Sequence, residues 1–173
     1  MAQRSRFSDS VAEGLLDWGL DGYVYVPSSH IAPVIERLQE AEVPGYLANR
    51  EEEGVGVAGG MALFGRRVAL LMQDNGFGNA LTALMTFTAA YHIALPIVAN
   101  SRGGLGEYNS MIHTFSGGVP QMLRAAGLKV EQLSPADPPE MWQATGKAAG
   151  ELCTTTHRPV VLLADLMHPG TEL

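Results

Sequence analysis

Short runs of consecutive apolar residues alternate with longer stretches of helical periodicity along this chain. The run VALLM at positions 68–72 is apolar throughout, which is typical of a strand with both faces buried. Strands that alternate with helices, with both sheet faces covered, indicate a parallel sheet with right-handed crossovers. We therefore predict an α/β fold, a doubly wound, mainly parallel six-stranded sheet with helices on both faces. The predicted strands are 22–26, 45–48, 68–73, 94–99, 128–132 and 159–163, and the predicted helices are 9–19, 30–41, 51–64, 77–91, 119–126 and 138–153.

The composition argues against several classes of protein. At 173 residues the chain suits one domain, which we expect to span 1–173. The net charge is −7 and no basic cluster exceeds Arg66 and Arg67, so we expect no nucleic-acid surface. The single Cys153 excludes an internal disulfide and the usual zinc frameworks. The N-terminus lacks the apolar core of a signal peptide and no apolar run is long enough to cross a bilayer, so we expect no membrane contact and a cytoplasmic location.

Four loops follow predicted strands, at the sheet edge where ligands gather in open α/β folds. They read PSSH at 27–30, NREEE at 49–53, DNGFGN at 74–79 and NSRGGLGEYNSMIH at 100–113. The segment 100–118 is the least regular part of the chain and is rich in Gly, Ser and Asn. We therefore expect it to form a functional loop.

The stretch NREEEGVGVAGG at 49–60 contains a literal G-x-G-x-x-G at Gly54, Gly56 and Gly59. A dinucleotide-binding fingerprint needs the strand to run directly into the glycines. Here Arg50 and three glutamates intervene, so the glycines fall inside a helix, and carboxylates at its start would repel a pyrophosphate. The acids suit the helix dipole, but each glycine inside a helix costs about 1 kcal/mol relative to alanine. Such a helix must pack very closely against another helix or a subunit, which would bury a carboxylate at its start.

The remaining polar residues carry weaker signals. Gly76 and Gly78 fit either a turn with a helix start or a ligand loop, and the absence of a following Lys-Ser/Thr excludes a P-loop. The histidines show no metal spacing and no Ser-His-Asp order, so we expect no metal ligand in this chain. They are His30, His92, His113, His157 and His168.

The run from NREEEGVGVAGG to MQDNGFGNALTAL resembles the pyrimidine-binding domain of thiamine-diphosphate-dependent enzymes. In that family a glutamate after the second strand is followed by a glycine nine positions on, which matches Glu51 and Gly60. Gly76, Gly78 and Asn79 resemble the family's G-x-G-N signature. The run LMQDNGFGN is most similar to the two-subunit sulfopyruvate decarboxylases and the related phosphonopyruvate decarboxylases, although Asp74 and Asn75 depart from their pattern.

The resemblance also implies a missing half. Enzymes of this family hold the diphosphate and a magnesium ion through a Gly-Asp-Gly motif followed by Asn-Asn, and the chain contains no such motif. It therefore resembles the α subunit of a split enzyme. The cofactor would lie between this chain and a separate β subunit that carries the diphosphate-binding domain and holds Mg²⁺, in a hetero-oligomer.

The family's chemistry implies a role for each candidate residue. Glu51 would be the catalytic carboxylate that hydrogen-bonds N1′ of the aminopyrimidine, with Gly76, Gly78 and Asn79 also at the cofactor. The reaction would be the non-oxidative decarboxylation of a small anionic 2-oxo acid to an aldehyde. The substrate-binding candidates are polar residues of the strand-end loops: Ser28, Ser29, His30, Gln73, Asn75, Arg102 and His113.

Three alternatives stay open. A thiamine-dependent carboligase subunit, or a decarboxylase of another 2-oxo acid, would use the same residues. A non-catalytic binding or scaffold subunit would share the fold without the activity. A nicotinamide-binding module would bind NAD without a partner.

Overall fold

A six-stranded, wholly parallel sheet forms the centre of the chain in the order β2-β1-β3-β4-β6-β5. The computed structural model describes residues 6–104 and 106–167. The predicted α/β fold and the approximate positions of all six strands are confirmed. The strands are β1 Gly22–Tyr25, β2 Gly45–Leu47, β3 Val68–Gln73, β4 Pro96–Asn100, β5 Lys129–Leu133 and β6 Val160–Ala164.

Helices cover both faces of the sheet, as a doubly wound fold requires. On one face α1, α2 and α7 share a core with the sheet, and on the other face α3, α4 and α6 share a second core. The helices are α1 Arg6–Trp18, α2 Ala32–Glu40, α3 Glu51–Leu63, α4 Phe77–Ala83, α5 Ser110–Ser116, α6 Val119–Ala125 and α7 Pro139–Thr156. Among the described residues no helix is both long and apolar enough to cross a membrane.

Strand β3 shows why the sheet must be covered twice. Ala69 and Leu71 pack into the core of α1, α2 and α7, whereas Leu70 and Met72 pack into the opposite core. All four side chains are fully buried. Successive side chains of a strand point to opposite faces, so a continuous apolar run places a core on each side.

The predicted helix 77–91 is helical without a break from 77 to 89, but it changes from an α-helix to a π-helix. After α4 the residues Leu84–Ala89 form a π-helical segment. The hydroxyls of Thr86 and Thr88 donate to the carbonyls of Thr82 and Leu84, one turn earlier. Such side-chain bonds compete with the backbone amides for those carbonyls, but Thr154 and Thr156 make the same bonds in α7, which remains α-helical.

The segment 100–118, predicted as an irregular loop, contains the helix α5 at its far end. Its N-cap is Asn109, whose side chain accepts a hydrogen bond from the amide of Met111 at 3.1 Å. An asparagine just before a helix is a recognised start signal. The prediction missed it because two turns of helix are too short to show periodicity.

Helix α3 packs closely on one side only. A Cβ on Gly54 would approach the Leu70 side chain to 2.9 Å, and a Cβ on Gly59 would approach the Phe87 ring to 2.5 Å. By contrast, no atom lies within 4 Å of a Cβ placed on Gly56 or Gly60. The predicted close packing against another helix is therefore confirmed at Gly59, Gly54 packs closely on β3, and the outer side of α3 is open.

The opposite face depends on a close crossing of α1 and α7. A Cβ on Gly14 would lie 2.2 Å from the carbonyl oxygen of Gln143 and 3.0 Å from the Cα of Gly146. These are backbone atoms, so a side chain at Gly14 would force the two helices apart.

We expect Gly14→Ala to lower the free energy of unfolding by about 1–3 kcal/mol, the usual cost of overpacking a core. Gly56→Ala is the matched control, because its Cβ meets open space. It should raise the stability of the isolated chain by about 0.5–1 kcal/mol through helix propensity. Urea denaturation of both variants measures the difference, and equal destabilisation by the two would contradict the close crossing.

Candidate active site

The sheet order reverses direction between β1 and β3, because the chain moves outward from β1 to β2 and then returns to the other side of β1. Ligands of open α/β sheets bind at such a switch point, beyond the carboxyl ends of the strands. Ser28 follows β1 and Gln73 ends β3, and the Ser28 hydroxyl donates to the side-chain oxygen of Gln73 at 3.2 Å. Polar side chains therefore meet where the topology predicts a site.

Glu51 is the first residue of α3, and its side chain reaches the turn after β3. A Cβ on Gly76 would lie 2.4 Å from Cγ and 2.7 Å from Oε1 of Glu51, so only glycine admits this carboxylate. The side-chain amide of Asn79 donates to Oε2 of Glu51 at 3.1 Å. Three of the predicted cofactor residues are thus in direct contact, although they come from two separate loops.

The two following glutamates have local partners. Glu52 pairs with Arg50 at 2.6 Å, and the side chains are 40% and 65% exposed. Glu53 accepts a hydrogen bond from the backbone amide of Asn49 at 2.8 Å, which ties the start of α3 to the residues before it. Glu51 is distinguished from its neighbours by its contact with the turn after β3.

A second polar group surrounds Gln73. Its side-chain NH2 donates to Asn75 at 2.8 Å, and its oxygen accepts from Nη1 of Arg102 at 3.1 Å as well as from Ser28. The structure therefore joins Ser28, Gln73, Asn75 and Arg102 in one hydrogen-bonded group.

The two histidine candidates lie at the margin of this group. His30 contacts the exposed hydroxyl of Ser29 at 3.3 Å. Burial, and next the positive charge of Arg102, lower the pKa of His30 below its ordinary value, which favours the neutral imidazole. His113 lies on α5, where Nε2 is 3.2 Å from the carbonyl oxygen of Glu107.

Arg102 forms a buried ion pair that the sequence did not reveal. Its Nε and Nη2 donate to the two carboxylate oxygens of Glu107 at 2.6 and 2.7 Å. The side chains are 5% and 0% exposed. Hydrogen bonds from Arg102 lower the pKa of Glu107 to about 2. One edge of the guanidinium is therefore occupied within the chain, and the Nη1 edge faces Gln73.

Glu107 also fixes the loop around it. One oxygen accepts the amide of Asn109 at 2.9 Å, and the other lies 3.4 Å from the amide of Gly103. Its importance was missed because a glutamate within a Gly-rich segment has no distinguishing spacing. The nearby Arg102 was the one available signal, since an arginine in a buried loop needs a counter-charge.

The N-terminal two thirds of the chain match a known protein family. Residues 5–113 match the family described as thiamine pyrophosphate enzyme, N-terminal TPP binding domain. The chain belongs to this family. The match covers β1 to β4 and the loops that carry Glu51, the G-x-G-N group and Arg102.

Several relatives of this chain are decarboxylases or decarboxylase subunits by name. It is 32% identical to the sulfopyruvate decarboxylase subunit alpha of Methanococcus maripaludis, over 93% of this chain and 95% of that protein. It is 29% identical to the subunit of the same name from Methanothermobacter thermautotrophicus, over 93% and 96%. A phosphonopyruvate decarboxylase of Streptomyces hygroscopicus is 30% identical over 65% of this chain and 28% of its own length.

Solved structures agree on the fold of this family member. A 2-oxoglutarate:ferredoxin oxidoreductase from Magnetococcus marinus superimposes with a TM-score of 0.65 at 14% identity, covering 96% of this chain and 31% of that one. A split-gene transketolase also reaches a TM-score of 0.65 at 16% identity, covering 92% and 51%. At these identities the likeness concerns the fold alone.

The Glu107–Arg102 pair leads to a pH-dependent prediction. The pKa of Glu107 is lower in the folded chain than its ordinary value of 4.5, so its ionised form stabilises the fold above that value. The contribution is lost as the pH falls toward 2. We expect Glu107→Gln to be less stable than the wild type at pH 7, with a difference that shrinks between about pH 5 and pH 2.

Urea denaturation at several pH values measures this difference. The control is Glu131→Gln, which removes an exposed ion pair with Lys129 and should change stability little at any pH. A pH-independent difference for Glu107→Gln would show that the ionised pair does not stabilise the fold.

Proposed function

We propose that the chain is the α subunit of a thiamine-diphosphate-dependent 2-oxo acid decarboxylase of the sulfopyruvate or phosphonopyruvate type. It would act without oxidation and release carbon dioxide and an aldehyde. The observation that carries the proposal is the carboxylate of Glu51, which rests on Gly76 and is held by Asn79. The names of the relatives, aligned over nearly the whole chain, support the same reaction class.

The residues present fit the aminopyrimidine end of the cofactor. A Cβ on Gly76 would fill the space that Glu51 needs, so this turn is shaped around the carboxylate. Glu51, Gly76, Gly78 and Asn79 would hold the aminopyrimidine. When bound, thiamine diphosphate supplies an electron sink for the bond that breaks as carbon dioxide leaves.

Glu51 would work as a proton-holding group. Asn79 occupies Oε2 and fixes the orientation of the carboxylate, and Oε1 faces the turn at Gly76. In this position the carboxylate would hold a proton shared with a ring nitrogen of a bound aminopyrimidine. A carboxamide has permanent N–H donors and cannot hold that proton.

The anionic 2-oxo acid would bind beside the Gln73 group. Nη1 of Arg102 supplies the charge, while Ser28, Gln73 and Asn75 supply neutral hydrogen-bonding groups. Ser29, His30 and His113 would complete the substrate site at its margin. A 2-oxo acid held here would lie above the end of β3, next to the turn that receives Glu51.

The second half of the site would come from a β subunit in a hetero-oligomer. This chain, over 1–173, would be the pyrimidine-binding domain, and the β subunit would carry the diphosphate-binding domain and hold Mg²⁺. The open outer side of α3 supports a partner, since Val57, Leu63 and Phe64 expose 41%, 60% and 92% of their surface there. Exposed apolar surface of this kind is typical of protein interfaces. We also propose a cytoplasmic location.

The decisive variant is Glu51→Gln in the complex with the β subunit. We expect it to lower kcat by at least about a hundredfold, the usual contribution of a proton-transferring residue, with fold and assembly intact. Glu52→Gln is the matched control, because Glu52 lies next along α3 and its Oε1 pairs with the exposed Arg50. Carbon dioxide release under saturating thiamine diphosphate measures both, and near-normal turnover by Glu51→Gln would contradict the assignment.

The complex itself tests the wider proposal. This chain is copurified with a protein that carries Gly-Asp-Gly and Asn-Asn, and carbon dioxide release from sulfopyruvate, phosphonopyruvate and pyruvate is compared. Products formed with added aldehyde acceptors separate a decarboxylase from a carboligase. Lack of any thiamine-dependent activity would favour a scaffold subunit, and saturable NAD binding by this chain alone would favour the nicotinamide-binding alternative.

The partner-binding role of α3 is tested separately with Gly60→Leu. No atom lies within 4 Å of a Cβ placed on Gly60, so we expect the leucine to leave folding of the free chain unaffected while the affinity for the β subunit falls at least about tenfold. The control Ala148→Leu adds the same bulk to an exposed position of α7 on the other side of the sheet. Equal affinities, measured by calorimetry, would place the partner elsewhere.

A further inference from the structure

Asp74 is a buried carboxylate at the first position after β3, where it is 1% exposed. Its Oδ2 accepts the backbone amide of Arg102 at 2.8 Å, and its Oδ1 accepts the hydroxyl of Ser116 at 2.8 Å. Burial is the main cause that raises the pKa of Asp74 above its ordinary value. A buried carboxylate is costly unless it is hydrogen-bonded. Each oxygen of Asp74 accepts one hydrogen bond, one from the loop after β4 and one from α5.

The two partners stand at the ends of one segment. Arg102 begins the loop that follows β4, and Ser116 is the last residue of α5. One side chain just after β3 therefore holds both ends of the segment 102–116. Neither the family match nor the names of the relatives assign Asp74 a role.

The two ends also touch each other. Gly103 has a φ of 80°, and a Cβ there would lie 3.1 Å from Cβ of Ser116 and 3.3 Å from the amide nitrogen of Gly117. The segment 102–116 is therefore a compact loop whose ends meet above Asp74. Compact loops with adjacent ends are frequently functional.

The segment carries groups that face the candidate site. Arg102 and His113 are the proposed substrate-binding residues on it, and the ring of Phe115 packs over Gly78, 3.2 Å from where a Cβ would lie. A shift of α5 would move His113 and Phe115 together relative to Glu51 and Gln73. The position of these groups thus depends on how firmly the base of the loop is held.

We propose that Asp74 is a positioning residue that latches the segment 102–116 to the end of β3 through Arg102 and Ser116. This inference rests on the proposed function for its effect on substrate binding, whereas the latch itself is a property of the chain. Asp74 holds the groups that bind the 2-oxo acid without touching the substrate. Its loss should therefore raise KM more than it lowers kcat.

Ser116→Ala is the sharpest test, because it removes one of the two bonds and keeps the amide of Arg102 anchored. In the isolated chain we expect the amides of 110–117 to exchange with deuterium at least about tenfold faster, as expected for local opening. Exchange in β3 and β4 should stay unchanged. Thr114→Ala is the control, since it removes an exposed hydroxyl from the same helix and should leave exchange at the wild-type rate.

In the complex, Ser116→Ala should raise KM for the 2-oxo acid about tenfold and change kcat by less than about twofold. The separate variant Asp74→Asn should largely keep the wild-type values of KM and kcat, since asparagine offers an oxygen to the Arg102 amide and an NH2 to the Ser116 hydroxyl. Asp74→Ala should combine the effects of losing both bonds.

Each result bears on a different claim. Unchanged exchange and unchanged KM in Ser116→Ala would overturn the latch while leaving the decarboxylase proposal intact. If Asp74→Asn folds but loses as much activity as Asp74→Ala, the carboxylate itself takes part in the chemistry. That result would also overturn the positioning role. An inactive wild-type complex would refute the proposed function, and the exchange experiment on the isolated chain would still decide whether the latch exists.

Discussion

The burial of both faces of β3 is the constraint from which the site follows. Because Leu70 and Leu71 point into opposite cores, the strand has no polar face, and polar groups appear only where it ends. Gln73, Asp74 and Gly76 then follow within four positions. These positions receive groups from the loop after β1, the loop after β4 and the start of α3. The central strand thus fixes the cores on both sides and gathers the functional loops at its end.

Three carboxylates near this end are held in three physically distinct ways. Glu51 is half-buried with one amide donor from Asn79. Asp74 is buried and accepts one amide and one hydroxyl. Glu107 is buried in a two-point ion pair with Arg102. A carboxylate with several strong donors is committed to structure, while one with a single neutral donor keeps an oxygen for other partners. This contrast supports the proposed assignment of proton chemistry to Glu51.

The sequence was sufficient for the sheet, because buried strands leave continuous apolar runs, whereas Glu51 was proposed from a spacing that resembles the family pattern. Continuous apolar runs identified the strands, and the interval from Glu51 to Gly60 singled out one of three adjacent acids. Contacts between residues distant in sequence left no such signal. The ion pair of Arg102 with Glu107 and the two bonds of Asp74 exist only because β3, β4 and α5 converge in three dimensions. The open side of α3 could not be predicted either, since the positions of glycines in the sequence do not tell which face of the helix is covered.

Helix α3 contains Gly54, Gly56, Gly59 and Gly60 among its 13 residues. Each glycine costs about 1 kcal/mol relative to alanine, and isolated helices of this length are already marginal. The helix therefore keeps its shape through what packs against it, and only its inner side is packed within the chain. Glu51 occupies its first turn, so the carboxylate shares this local weakness. Any surface that covers the outer side of α3 would stiffen the helix. The order of the Glu51 carboxylate would then depend on contacts made far from the reacting atoms.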